Sequence, residues 1–265
     1  MRIIFIVISA IAFFLGSALI AAGPGAGFGI WNYDTAFEIY RGAAAPKEIF
    51  GGVALSPVFT SGGLSILCSI AAFFLRFHGV ALLALIAGLS AVAGGYIPIK
   101  MRALAEANPF IHDVTTDFEN PPQIVAAANL ERSNPAEYVG DTVVGDTGKS
   151  VATWQMEAFP DLTPILTETE IDVAAEQVRL TLDEMGLDIL AEGAIDSGGI
   201  SGWRIEAVET SRWFGFKDDL IVRLTPAGDG QTRIDIRSKS RVGGSDLGAN
   251  ANRVQEFRAR FLERF

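Results

Sequence analysis

An α+β domain, an antiparallel sheet with flanking helices, carried behind three N-terminal membrane helices is the architecture this sequence predicts. Three observations predict it. Three uncharged apolar runs lie within the first hundred residues. Charge is segregated: residues 1–99 hold four basic and three acidic residues, and the remainder seventeen and twenty-eight. Finally, the C-terminal half alternates like a helix, then four strands, then a helix.

The spans come first. Ile3–Ala22 is an apolar stretch of bilayer-spanning length, ended by the glycines of Gly23–Gly27. The next run is Phe59–Leu75, extendable back to Val53, and the third is Gly79–Ile99. Only Arg76, Phe77 and His78 separate these two, so they form an antiparallel hairpin. Gly88, Gly94 and Gly95 permit close helix contact in the third span. Between the first two spans, Tyr33, Phe37 and Tyr40 recur at helical spacing, as in an interfacial aromatic belt; a substrate-gripping loop is the alternative. No span carries Asp, Glu, Lys or Arg at its centre, which favours an anchor over a transport path. Cys68, the single cysteine, sits in an apolar run and reads as a small buried hydrophobe.

Residues 100–122 read as a linker and 123–265 as the soluble domain. The linker contains His112, Asp113 and Asp117. One His with two carboxylates can begin a metal site, but such Asp and Thr side chains more often cap turns, and no metal or other cofactor is assigned. A short helix is expected over Gln123–Leu130 and a loop over Ser133–Ser150. The Gly-Lys-Ser at 148–150 lacks the upstream glycine of a phosphate loop, because position 143 is Val. Ile171–Met185 is an amphipathic helix with Ala175, Val178, Leu182 and Met185 on one face. Strands follow at Leu187–Ala191, Trp203–Ser211, Asp219–Thr225 and Gln231–Ser240, with a glycine-rich turn over Asp196–Gly202.

The stretch from Ile234 onward organises the domain. Ile234 and Ile236 point to one face; Arg237, Lys239 and Arg241 point to the other. Gly243 and Gly244 open a tight turn. Ser245 reads as an N-cap, Asp246 as a charge at the helix N-terminus, and Asn250 lies in the first turns of a closing helix running to about Arg264.

Two constellations are candidate binding surfaces. Arg237, Lys239 and Arg241, with Arg223 on the neighbouring strand, either pair with Glu206, Glu209, Asp218 and Asp219 or line an anion-binding groove. Arg212–Phe216, with Trp213 and Phe216, either plugs a core or forms a partner-binding tip. No nucleophile has a His nearby in sequence, so no catalytic residue is assigned. The acidic soluble part excludes nucleic acid as a partner.

The segments HDVTTDFENPP (His112–Pro122), AFPDL (Ala158–Leu162), GFKDDLIVRL (Gly215–Leu224) and the strand–turn–helix from Ile234 occur here in one order. Together they make residues 112–265 similar to domain-of-unknown-function family 1499, with Phe159 where that pattern carries Tyr. The element plan also looks similar to the helix-grip arrangement. The family resemblance implies an exported or lumenal domain; counting cations across the spans favours the opposite orientation. The reading is a membrane-anchored cell-envelope protein of a bacterial inner membrane. Its periplasmic domain would bind a partner protein, a lipid-like amphipathic ligand or an anionic one. The alternative is a membrane-bound hydrolase or metal-dependent enzyme using His112, Asp113, Asp117 and Asp161.

Overall fold

The computed structural model describes residues 1–49, 53–197 and 199–264. The chain divides into two compact units, one of residues 1–103 with 212–215, the other of residues 104–211 with 216–265.

In the first unit, α1 (Arg2–Gly27), α3 (Pro57–Phe74) and α4 (His78–Ala107) are long and apolar enough to cross a membrane. Their burial is inverted relative to a water-soluble bundle. Small residues face inward, among them Ala12, Gly16, Ser65, Ala84 and Ala91, while Phe13, Phe14, Leu67, Phe73 and Leu82 face out. That suits helices whose association depends on close backbone approach and polar contacts rather than on apolar burial. A Cβ at Gly16 would strike the Ser90–Ala91 backbone, and one at Gly94 would strike Gly16. Ser65 and Ser69 of α3 donate to the carbonyls of Ala84 and Ala81 of α4 at 2.8 and 2.7 Å.

Several boundaries differ from the sequence expectation. Helix α1 runs through Gly23–Gly27, with Pro24 inside it. Trp31 lies against Gly25 and donates its indole N–H to the Ala22 carbonyl at 2.9 Å. Helix α3 starts at Pro57, and Val53–Leu55 forms a short strand, β2, paired with β1 (Lys47–Ile49). Helix α4 continues past Ile99 to Ala107, through residues read as linker. Helix α2 (Tyr33–Ala44) is capped by Asn32, whose Oδ1 accepts from the Thr35 amide.

The second unit is built on an antiparallel sheet. Its strands are β3 (Asp113–Thr115), β4 (Ile165–Thr167), β5 (Asp188–Ser197), β6 (Ile200–Thr210), β7 (Lys217–Gly228) and β8 (Gln231–Ser240). The order is β3-β8-β7-β6-β5, and β4 pairs with the first residues of β8 beside β3. Strand β5 runs on to Ser197 and β6 begins at Ile200, so most of the turn expected over Asp196–Gly202 is strand; Gly198 lies outside the described residues. Helices α5 (Val151–Ala158), α6 (Ile171–Glu184) and α7 (Ala249–Leu262) complete the unit. Strand alternation decides what covers each face. Leu220, Val222, Leu224, Ile234 and Ile236 pack against Ala175, Val178 and Leu182 of α6 and Val254, Phe257 and Phe261 of α7. Asp219, Ile221 and Arg223 of β7, and the charged row of β8, face the other way. Over them lies an irregular strap, residues 116–139, which seats Ile124 and Ala127 on Ile221.

That segment contains no helix over Gln123–Leu130. The Glu206 carboxylate instead takes the amides of Val125 and Ala126 at 2.9–3.1 Å, and Arg132 takes the Ala127 carbonyl. Backbone groups satisfied by buried charged side chains gain nothing from a helical turn. The closing helix also begins later than Ser245. Its first residue is Ala249, preceded by Gly248 at φ +87°. Asp246, not Ser245, supplies the cap: its two oxygens accept the amides of Gly248 (2.7 Å) and Asn250 (3.1 Å). Ser245 Oγ accepts from Leu247 in a local turn. Gly243 holds φ +87°, whereas Gly244 does not have a positive φ, and a Cβ there would meet only the ring of the exposed Phe110.

Candidate functional site

The sheet face turned away from α6 and α7 carries most of the charged candidates. At its centre the Asp113 carboxylate, itself fully buried, accepts a two-pronged bond from Arg237 (Nε and Nη2, both 2.9 Å) and an ion pair from Lys239 (2.9 Å). The register puts them there: Asp113 on β3 lies opposite Lys239 on β8, with Arg237 two residues along. Arg237 further donates to the carbonyls of Pro122 and Ala136, and Lys239 to that of Glu137. Burial pushes the Lys239 ammonium below its ordinary value, and Asp113 restores only part of the shift. Toward the β6–β7 connection, Arg241 and Arg132 share Asp219. At the opposite end of β8, Arg223 Nη2 donates to Asp117 (2.9 Å) and Asp235 (2.8 Å), and Arg233 pairs with the same two carboxylates.

All four cations singled out in the sequence are thus partnered by carboxylates. Of the acidic partners expected, Asp219 takes Arg241, while Asp113, Asp117 and Asp235 take the others. Glu209 and Asp218 bind Arg253 of α7 instead. Arg253 also donates to Ser238 Oγ and Asn250 Oδ1 at 2.8 and 2.6 Å. Asn250 bridges Ser238, Ser240 and the His112 carbonyl, so the polar serines of β8 are spent on fixing α7.

The metal or hydrolase constellation is not assembled. His112 turns to Gly244, Asp113 to Arg237 and Lys239, Asp117 to Arg223 and Arg233, and Asp161 is exposed. Among the described residues no group of three His, Cys, Asp or Glu is placed to hold a metal. His112 Nδ1 lies 3.3 Å from the Gly244 carbonyl, which can only accept, so the proton of the neutral ring sits on Nδ1. Nε2 is then a buried acceptor without a partner. Desolvation accordingly holds the ring below its ordinary value of 6.5. The unfolded chain therefore binds the proton more tightly, and stability through this group is complete above 6.5 and falls as the pH drops below it. Thermal melts of the full chain in nanodiscs from pH about 7 down to about 5 should show this loss, with a shallower slope in His112→Gln.

Trp213 and Phe216 part company. Trp213 belongs to the first unit, donating its indole N–H to the Tyr40 hydroxyl at 3.1 Å, and Phe214 stacks on Phe37 at 5.5 Å. Phe216 belongs to the second unit, where its amide donates to Ser211 Oγ.

Two clefts open at the end of the sheet where β5 turns into β6 and β7 into β8. The larger, about 510 Å³, lies between α6 and the sheet and is lined by Ile171, Ala175, Trp203 and Pro226, with Glu170, Asp172 and Asp229 also on its wall. Trp203 continues the core-facing row of Ile205 and Ala207, and its indole N–H is buried with no acceptor. The smaller, about 330 Å³, is on the charged face, beside Arg223 and Arg233. Trp203 was not among the sequence candidates. Its alternation with Ile205 marks it as inward-pointing, but nothing in sequence shows that the core stops short of it.

A family model described as a protein of unknown function (DUF1499) matches residues 113–261. No curated protein matches the chain. The match begins at the buried Asp113 and ends at Phe261 in the core, thus enclosing the strand, strap, sheet and closing helix described above. Covering more than half of the sequence, it places the chain in the DUF1499 family.

Proposed function

We propose that this protein is a membrane-anchored binding module, whose α+β domain takes a small amphipathic ligand in the cleft between α6 and the sheet. The observation that carries this reading is the cleft itself. Its volume of about 510 Å³ falls within the range of small-molecule sites. Its lining is mixed: an aromatic and aliphatic floor from Trp203, Ile171, Ala175 and Pro226 meets a wall that carries both carboxylates and the Arg179 guanidinium. Catalysis has no comparable support, because the carboxylates near His112 are committed to buried cations.

A photoreactive benzophenone amino acid at position 203, in the full chain expressed in cells, tests the site. Irradiation should add a small-molecule mass to the peptide carrying that position. A cross-link to another protein would favour partner binding at the same place, and no adduct at all would count against the cleft.

We further place the domain on the periplasmic face of a bacterial inner membrane. Three spans put the two termini on opposite sides. This orientation rests on the family resemblance, which implies an exported or lumenal domain; it keeps Arg2 and Arg76 inside but puts Arg41, Lys47, Lys100 and Arg102 outside, so the cation count opposes it. A cytoplasm-only reporter fused to the C-terminus should be silent; activity there would reverse the orientation and leave the anchor intact.

A further inference from the structure

The two edges of the sheet are finished differently. At β3 the Gln155 side chain of α5 takes the place of a neighbouring strand: its amide accepts from the Thr115 N–H at 3.0 Å and donates to the Thr115 carbonyl at 2.6 Å. The other edge is β5, which among the described residues pairs with β6 alone. Past an irregularity at Leu190 its register is unbroken from Ala191 to Ser197, and the backbone groups on its outer side form a row with no strand to meet them. Neither proline nor lysine interrupts that row, and a Cβ on Gly193 would meet nothing within 4 Å. The pairing also sorts the side chains. Glu192, Ala194 and Asp196 lie opposite Ile205, Trp203 and Ser201, on the side of α6. Ala191, Gly193 and Ile195 lie opposite Glu206, Arg204 and Gly202, on the side of the strap. One flank of the edge is thus acidic and the other is small and apolar. Helix α6 deepens the contrast: residues 168–197 hold nine acidic residues and one basic, Arg179, which Glu176 and Glu192 already hold at 2.9 and 2.6 Å.

We propose that β5 is a docking edge for an extended cationic segment of a partner protein, which adds to the sheet as a further strand. Main-chain hydrogen bonds supply the attachment, and alternate side chains supply the specificity. Basic residues of the segment lie on the α6 side, against Glu192 and Asp196; apolar ones lie on the strap side, beside Ala191 and Ile195. A second copy of this chain is a poor occupant, because pairing two β5 edges brings two rows of carboxylates together. The same carboxylates leave a cationic strand welcome. The edge needs no ligand in the cleft beside Trp203.

The test titrates the full chain, in nanodiscs of zwitterionic lipid, against two fluorescein-labelled peptides of equal composition, with empty nanodiscs as the blank. One peptide is a run of four Lys-Val repeats; the other is four lysines followed by four valines. The alternating peptide should bind about tenfold more tightly, since only its period of two puts every lysine on one side of a strand. Ile195→Lys sets a positive charge where the valines lie, and Asp196→Lys reverses one where the lysines lie. Ile195 is partly exposed opposite Gly202 and Asp196 is exposed, so both variants should melt like the parent and lose the preference. Ile171→Trp, which adds bulk in the cleft, should keep it. Equal binding of the two peptides, binding of neither, or an undiminished preference in the edge variants would overturn the proposal. So would a dimer of the parent that Ile195→Lys dissolves.

Discussion

Asp113→Ala should cost about 3–5 kcal/mol, enough to leave the soluble domain unfolded or barely folded at room temperature. The reason is an asymmetry of buried charge. Asp113 is the carboxylate that Arg237 and Lys239 share, and both cations are almost fully buried beneath the strap. Three carbonyls from Pro122, Ala136 and Glu137 remain to accept their protons, but carbonyl dipoles do not cancel two charges. Lys239, already held below its ordinary pKa by burial, has a way out: it can release its proton. The damage should therefore be smaller at high pH, and Asp113→Ala combined with Lys239→Met should recover part of the loss. Denaturant melts of the three proteins in nanodiscs check this. Equal stability of parent and single variant would show that the cluster contributes nothing.

Arg253→Ala should be of similar size, about 3–5 kcal/mol, because it leaves a buried carboxylate rather than a buried cation. Arg253 reaches from α7 to Asp218 on β7 and Glu209 on β6, and to Ser238 on β8. Burial opposes its charge, yet Asp218 and Glu209 together raise its pKa above the ordinary value. Without it Asp218 has no counter-ion, and Asn250 loses one of its donors. Arg253→Lys should not restore stability, since one ammonium cannot address Nε- and Nη-type partners in a plane. An unchanged midpoint in Arg253→Ala would mean that α7 is held by Val254, Phe257 and Phe261 alone.

These two clusters also show what was legible in the sequence. The four long strands, α6 and the membrane helices could be read, because each is written locally: period-two alternation around Ile234 and Ile236, helical spacing of Ala175, Val178 and Leu182, uncharged runs of spanning length. Strands β3 and β4 could not, since three-residue segments have no period and exist only by pairing with β8. The segment after Pro122 looked helical because its residues are good helix formers; Glu206, some eighty positions away, satisfies its amides instead. The row of cations was visible as a row. Whether it faced solvent depended on the strap, whose placement rests on long-range ion pairs. The same holds for the closing turn, where the cap fell to Asp246 rather than Ser245 because Gly248 delays the helix.

The central claim, that the cleft between α6 and the sheet is a ligand site, is tested most directly by filling it. Ile171→Trp adds bulk at the cleft wall on a residue that is only partly buried. Parent and variant are purified as full chains into identical nanodiscs, shown to melt alike, and extracted for mass spectrometry, so that bulk lipid cancels in the difference. The account predicts a small amphipathic molecule retained by the parent and lost from the variant. Identical extracts from two equally folded proteins would contradict it.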